Sequence, residues 1–436
     1  MAGDELHEAD RLAPAPPVPE SGVRRLVSLG TVDLGPLRRH RDYRLLFFGQ
    51  SVSFVGSMIT NVALVYQAYA ISGSSLVVGL LGAAELAPLL VTAFVGGALA
   101  DAIDRRRMVM LAELGLALSS GVLVANSLQA SPQLWLIFVV AAVAAALQGL
   151  QRPSLSALTP RLVPREEMAA ASALNSMRRT FGLIAGPSIG GVLIASVGLA
   201  WTYGVDVVSF VFSLAMLALM RATPPPVDAE RPSLRSIVEG FRYARSREEL
   251  VGTYAVDMVA MFFGMPSALF PAYAQRFGGP GVLGLLFAAP SAGAFVATLT
   301  SGWVSRVQRH GLAVILAATV WGVGITAFGL APALWVALVA LAVAGWADMV
   351  SGIFRNTIWN QTIPDRLRGR LAGIEQISYS SGPLLGNVEA GVVASLTSVR
   401  TSIVSGGLLC IAGVAVTAAM LPAFRRYDAR RAILKP

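Results

Sequence analysis

The chain has 436 residues, 55% of them hydrophobic and 14% charged, with a mean hydropathy of +0.65, a balance that excludes a water-soluble domain plan and places the chain in a bilayer. The net charge of +9 would point to nucleic acid in a soluble protein. Here it is read against topology, because basic residues of membrane proteins gather in loops kept in the cytoplasm, and no nucleic-acid partner is expected.

In chain order, residues 1–42 carry Pro14, Pro16, Pro17 and Pro19 among scattered acids, with no apolar core of signal-peptide length. They are expected to form a disordered cytoplasmic tail. Apolar runs of spanning length follow at about 45–70, 75–100, 108–128, 134–158, 172–197 and 200–220, which predicts a first six-helix bundle over 43–221. Residues 222–248 open with Pro224, Pro225 and Pro226 and continue as a charged stretch, expected to be a cytoplasmic linker with an amphipathic helix on the inner surface. Six further runs, at about 249–274, 281–303, 312–331, 334–360, 372–397 and 401–422, predict a second bundle over 249–422, followed by a basic tail over 423–436. The expected fold class is an all-α membrane protein of twelve transmembrane helices in two pseudo-symmetric six-helix bundles.

With the N-terminus inside, the outer loops hold only Arg276 and Arg400 of the 34 basic residues, so both termini are expected in the cytoplasm. Trp135, Trp201 and Trp335 fall at outer helix ends, as interface anchors do. Cys410 is the only cysteine, and His7, His40 and His310 fall in the tail or in loops, so no metal site and no cofactor are expected. No GxxxxGK[ST] loop occurs, which argues against ATP hydrolysis and an enzyme. Lys435 is the single lysine among the basic residues, and alanine and glycine abound, a bias that a GC-rich bacterial genome would give.

The halves echo one another at an offset of about 196 to 200 residues, as in transporters built from repeated bundles. RPSLSALTPRLVPREE, Arg152 to Glu167, is matched by RNTIWNQTIPDRLRGR, Arg355 to Arg370, and Gly186, Pro187 and Gly190 recur as Gly382, Pro383 and Gly386. Between the second and third runs stands GGALADAIDRRR, in which Gly97, Asp101, Arg105, Arg106 and Arg107 form a glycine, carboxylate and basic-cluster pattern. A carboxylate at a helix end can dock on the positive N-terminus of a facing helix while the arginines pair with acids, so this segment, with Arg152 and Arg355, is read as a conformational latch. The alternative is that Arg105 to Arg107 only anchor orientation. In the fifth run Gly182, Gly186 and Gly190 recur every four residues, next to Pro187 and Gly191, and make a bare helix face for close backbone approach.

GGALADAIDRRR resembles the loop signature of the major facilitator superfamily, although Ala102 and Asp104 stand where that pattern has a basic residue and a glycine. GLIAGPSIGG, Gly182 to Gly191, is similar to the glycine-proline motif of the superfamily's exporters. With HRDYRLLFFGQSVSFVGSMI, RSIVEGFRYARSREEL and GWADMVSGIFRNTIWNQTIPDRLRGRLAGI, the chain from about Arg41 to Pro422 resembles the enterobactin-exporter-like and macrolide-efflux branch. The resemblance implies the major facilitator fold and export of a small amphipathic molecule, a siderophore or drug-like compound, from a bacterial inner membrane. It departs from many proton-coupled drug exporters at Ala145, which stands where they carry an arginine three residues before the Gln148-Gly149 pair.

A charge at the centre of a spanning helix costs roughly 2.5 to 3.5 kcal/mol, so each acid in a run asks for a reason. By helical rise Glu85 lies roughly 15 Å from the outer end of its run, and Asp257 roughly 12 Å from the inner end of its own. These two, with Asp348, are the candidates for proton coupling, and a structural salt bridge or hydrogen-bonded pair is the alternative. Glu113, Asp206 and Glu389 are read as structural acids. Arg178 shares the glycine face and is read first as an inner-surface ion pair, with a gate partner or a substrate-anion contact as the alternatives. The resembled fold lines its cavity with the first, fourth, seventh and tenth helices, which nominates Gln50, Ser53, Ser57 and Asn61, then Tyr254, Met258, Met261 and Phe262, then Trp346. The expectation is a proton-driven, monomeric exporter whose partners are a small molecule, protons and the lipid bilayer. A lipid or lysolipid flippase of the same fold and a non-transporting receptor are the alternatives.

Overall fold

The computed structural model describes residues 33–102, 104–221 and 241–430, without the side chains of 93–102 and of 365, 366, 368–370, 372–374, 376 and 377. The expected linker and most of the expected N-terminal tail therefore lie outside the described residues. The long helices are α1 Arg41–Ser72, α2 Ser75–Ala102, α3 Arg105–Ser127, α4 Leu134–Leu162, α5 Met168–Ser196, α6 Gly198–Ala218, α7 Glu248–Phe263, α8 Pro280–Leu299, α9 His310–Leu330, α10 Leu334–Thr362, α11 Asp365–Leu396 and α12 Val399–Met420. Eleven candidate spans are long and apolar enough to cross a bilayer among the described residues, and α11, 32 residues long, is consistent with a twelfth. Helices are what a bilayer demands, since only internal pairing satisfies the backbone there.

Local chemistry sets several ends. Asp104 accepts the Arg107 N–H at 3.1 Å and starts α3, Ser398 accepts the Thr401 N–H at 3.0 Å and starts α12, and Pro280 occupies the first turn of α8. Gly73, at φ 62°, closes α1 in the left-handed conformation, with its N–H on the Tyr69 carbonyl. The seventh run differs from expectation. The apolar pattern predicts one span over about 249–274, but α7 stops at Phe263, and a 3₁₀ turn and a short helix, Phe270–Gln275, carry the chain on. Pro266 and Pro271 cannot donate to a continuing helix, and Asn387 of α11 takes over, accepting the Ser267 hydroxyl at 2.6 Å and the Ala268 N–H at 3.0 Å.

Packing repeats from half to half. In the first, α1 packs on α5 and α6, α2 on α4, and α3 on α4 and α6. In the second, α7 packs on α11 and α12, α8 on α10, and α9 on α10 and α12, the same scheme six helices on. The halves meet through two pseudo-equivalent pairs, α2 with α11 and α5 with α8. Outward faces carry large apolar side chains such as Phe181, Leu299 and Leu396, and Trp135, Trp201 and Trp335 are exposed at helix starts.

Close approach within a half rests on small residues. A methyl group on Gly345 of α10 would run into the Pro290 carbonyl of α8, which is backbone and cannot turn away. Gly345→Ala is expected to destabilise the second half by about 1–3 kcal/mol, read as a lower melting temperature in detergent. An unchanged melting temperature would mean that α8 and α10 separate easily.

Candidate functional site

The start of α1 and the end of α12 lie on one side of the bundle, called here the termini side. A cavity of about 1060 Å³ lies between the halves. Its wall runs from Tyr43, Thr159 and Arg178 on the termini side to Glu85 and Leu384 at mid-depth. Glu85 also borders a second cavity, of about 330 Å³, towards the far side, walled by Phe270, Phe287, Trp321 and Asn387. Beyond that level the halves close on bare backbone. A methyl group on Gly191 of α5 would come within 2.6 Å of the Pro280 carbonyl and 3.0 Å of Gly284 Cα in α8. In the pseudo-equivalent pair, one on Gly82 of α2 would come within 2.6 Å of the Leu384 carbonyl, and one on Gly391 of α11 within 2.8 Å of the Ser75 carbonyl.

The strongest polar group on the wall joins α7 to α10. Arg355 Nη1 pairs with Asp257 Oδ1, and its Nη2 lies 3.6 Å from Asp348 Oδ1. Arg355 and Asp257 are 2% and 6% exposed, whereas the Asp348 side chain is 44% exposed and faces the cavity. The guanidinium lies 5.3 Å from the Tyr379 ring centroid, which shields its face. One cation serves two carboxylates, so the group carries a surplus negative charge when all three are ionised. Without Arg355 the buried Asp257 carboxylate would have no cation beside it, a costly arrangement at that depth.

Acids of the first half are held differently. Glu113, fully buried, accepts from Gln50 Nε2 at 2.5 Å and from Gln151 Nε2 at 3.3 Å. Asp206, 1% exposed, accepts from the hydroxyls of Thr60 and Ser120, each at 2.7 Å. Neutral donors hold both acids, at both oxygens of Asp206 but at Oε1 alone of Glu113, whose buried Oε2 has no partner among the described residues, and the bonds from neighbouring helices tie α1, α3, α4 and α6 together.

The nominated residues fall into three groups. Glu85, Asp348, Gln50, Ser57 and Asn61 line the main cavity, as do Arg152, Arg355 and Arg178, and Ser53 is buried just behind it. Ala145, in the place of the resembled exporters' arginine, lies in the same wall and leaves a small apolar surface there. Tyr254, Met258, Met261, Phe262 and Trp346 are not in that wall. Tyr254 stacks on Trp359 with centroids 5.4 Å apart, and Trp346 on Trp303 at 6.4 Å. Met261 packs against Gly382 and Gly386, so the glycine face of α11 draws this side of α7 into a helix contact. The equivalent face of α5 does the same to α1: Gly182 meets the Phe54 ring, Gly186 meets Met58, and Gly190 meets Ile59.

Gly97 and the Asp101 side chain lie outside the described side chains. Arg105 Nη1 donates to the Ala157 carbonyl at 3.2 Å, and Arg106 donates to those of Leu217 and Ala218 at 2.6 and 2.7 Å. Arg107 holds Asp104 through its backbone N–H. The Arg106 bonds cap the C-terminal carbonyls of α6, where a cation meets the negative end of the helix dipole, and the Arg105 bond reaches α4 near its C-terminal end, all within one half. Sequence reading passed over Thr60, Ser120, Asn175 and Arg179, all in the cavity wall. Arg179, next to an arginine already singled out, was the one with a readable signal.

Two repeated bundles around a shared cavity, with charged groups on its wall and spans fit for a bilayer, define a multi-pass membrane transporter. The chain belongs to the transmembrane secretion effector family of the major facilitator superfamily, whose profile matches residues 31–433. It is similar to the enterobactin exporter EntS of Citrobacter koseri, with 30% identity over 386 residues that cover 88% of this chain and 92% of that one. EntS of Escherichia coli O1:K1 is 31% identical over 389 residues, with the same coverage. Among solved structures, a POT family transporter in complex with 5-aminolevulinic acid superposes with a TM-score of 0.70 at 12% identity, covering 88% of this chain and 97% of that one, a likeness of fold.

Proposed function

We propose that the protein exports a siderophore-type organic molecule across a bacterial inner membrane by proton antiport, alternating access between two rocking halves. In this reading it works as a monomer with both termini in the cytoplasm, so the main cavity takes substrate from the cytoplasm. Relatives named as enterobactin exporters support the cargo, and the Gly182 to Gly191 motif supports the direction. The observation that carries the coupling is the Asp257–Arg355–Asp348 group, in which one cation of the cavity wall is shared by Asp348 in that wall and Asp257 buried behind it. A proton on Asp257 would loosen the tie between α7 and α10, whereas a proton on Asp348, which shares α10 with Arg355, would leave the cation to Asp257 alone. Substrate binding and proton binding then favour opposite states, which is the condition for exchange. Glu85, at the boundary of the two cavities, is the second proton carrier. Gln50, Ser57 and Asn61 contact substrate, and the Gly97 to Arg107 loop holds one state as a latch.

The test is flux of enterobactin from proteoliposomes with and without an imposed proton gradient. Wild-type flux is expected to rise with the gradient, and Asp257→Asn and Glu85→Gln are expected to lose that dependence. Gradient-independent flux in the wild type would end the antiport reading, and wild-type behaviour of both variants would end the assignment of coupling residues.

A further inference from the structure

Three arginines on one wall of the main cavity have no part in that coupling scheme. Arg152 of α4 and Arg178 and Arg179 of α5 all face the space between the halves. Arg179 is close enough to repel both Arg152 and Arg178, so the cluster is unfavourable unless negative charge is brought to it. Among the described residues none of the three is in an ion pair. The carboxylates that share the cavity are engaged or distant: Asp348 by Arg355, Asp206 by hydroxyls, and Glu85 at the deep end.

Arg178 is also built in. Its Nη1 donates to the Gln50 carbonyl at 2.9 Å and its guanidinium lies 5.7 Å from the Phe54 ring centroid, while Nε is buried with no acceptor. Arginines that only fix orientation reach lipid phosphate or bulk water outside the bundle. These three instead meet where cargo enters, beside the amides of Gln148 and Asn175.

We propose that Arg152, Arg178 and Arg179 form an oxyanion subsite for the transported molecule, so that the cargo is an organic anion carrying a carboxylate, phenolate, sulfonate or phosphate. The planar forks of guanidinium groups suit such oxygens, and a cationic compound is repelled at the same place. The inference rests on the export reading and narrows its cargo by charge.

The test uses the full chain in nanodiscs of uncharged-net lipid and two fluorescent probes of one skeleton, pyrene-1-sulfonate and pyrenyl-trimethylammonium. The wild type is expected to bind the sulfonate about tenfold more tightly than the ammonium. Arg152→Gln with Arg179→Gln is expected to remove the preference, whereas Arg152→Lys with Arg179→Lys keeps the sulfonate affinity within about threefold. Both positions are solvent-facing in the cavity, and the lysine pair controls for folding. No sulfonate binding by the wild type, equal binding of the two probes, or unchanged sulfonate binding in the glutamine pair would each overturn the subsite. Added lysophosphatidylglycerol separates two sources of the oxyanion: arginine-dependent displacement of the probe assigns a lipid headgroup, and lack of displacement assigns a soluble anion. Failure of the export reading looks different, namely sulfonate preference without gradient-driven flux.

Discussion

Arg355→Met is expected to lower the stability of the folded protein by about 3–5 kcal/mol and to abolish gradient-driven flux, because it strands Asp257 in a site 6% exposed with no cation. The methionine keeps the apolar stem and most of the volume, so the loss reports mainly the missing charge. Adding Asp257→Asn to Arg355→Met removes the stranded charge and is expected to restore most of the melting temperature without restoring coupling. That separation is the decisive part. If the double variant regained gradient-driven flux, the pair would be a structural tie and coupling would lie elsewhere. If the single variant melted like the wild type, water would be reaching Asp257 freely.

Leucine at Gly191 or Gly284 is the second large expected effect. Both glycines lie where α5 meets α8 on the far side, and the atoms facing Gly191 are the Pro280 carbonyl and the Gly284 backbone. An isobutyl group cannot fit there, so the halves must part and the far-side-open state gains population. Flux is expected to fall more than about tenfold, and spin labels on the far ends of α5 and α8 to move apart by roughly 5 Å, the size of the inserted side chain. Gly204→Leu on α6, where nothing lies within 4 Å of the added carbon, is the matched control and is expected to transport normally. Unchanged label distances in Gly191→Leu would show that α5 and α8 are not the contact that closes the far side.

Most of the helices could be read from apolar runs alone, because a bilayer leaves few other solutions for twenty apolar residues. Their termini-side ends could not. α1 begins at Arg41 and α5 at Met168, several residues before the apolar runs, since polar residues continue a helix once it has left the hydrocarbon. The break in α7 was hidden because Phe263, Phe270 and Tyr273 keep hydropathy high across Gly264 and Pro266. At the site, Glu85, Gln50 and Asn61 stood out as polar residues in apolar surroundings. Arg355 falls inside the tenth run and is read from the sequence as part of a latch, yet it sits two turns inside α10, which continues to Thr362, and pairs with Asp257 of α7. Its partner on α7, and the side of α7 that α11 covers, depend on tertiary contacts that periodicity does not encode, whereas Asp348 lies two turns away on the same face of α10.

The far-side closure has a kinetic meaning. Where α2 meets α11 and α5 meets α8, carbonyl oxygens rest against glycine Cα atoms, a contact with weak C–H···O attraction and no interlocked rotamers. Such a zipper without teeth can part and reseal without repacking, so in the alternating-access reading proposed above the barrier to releasing cargo would be set by the wetting of the seam and not by friction between side chains.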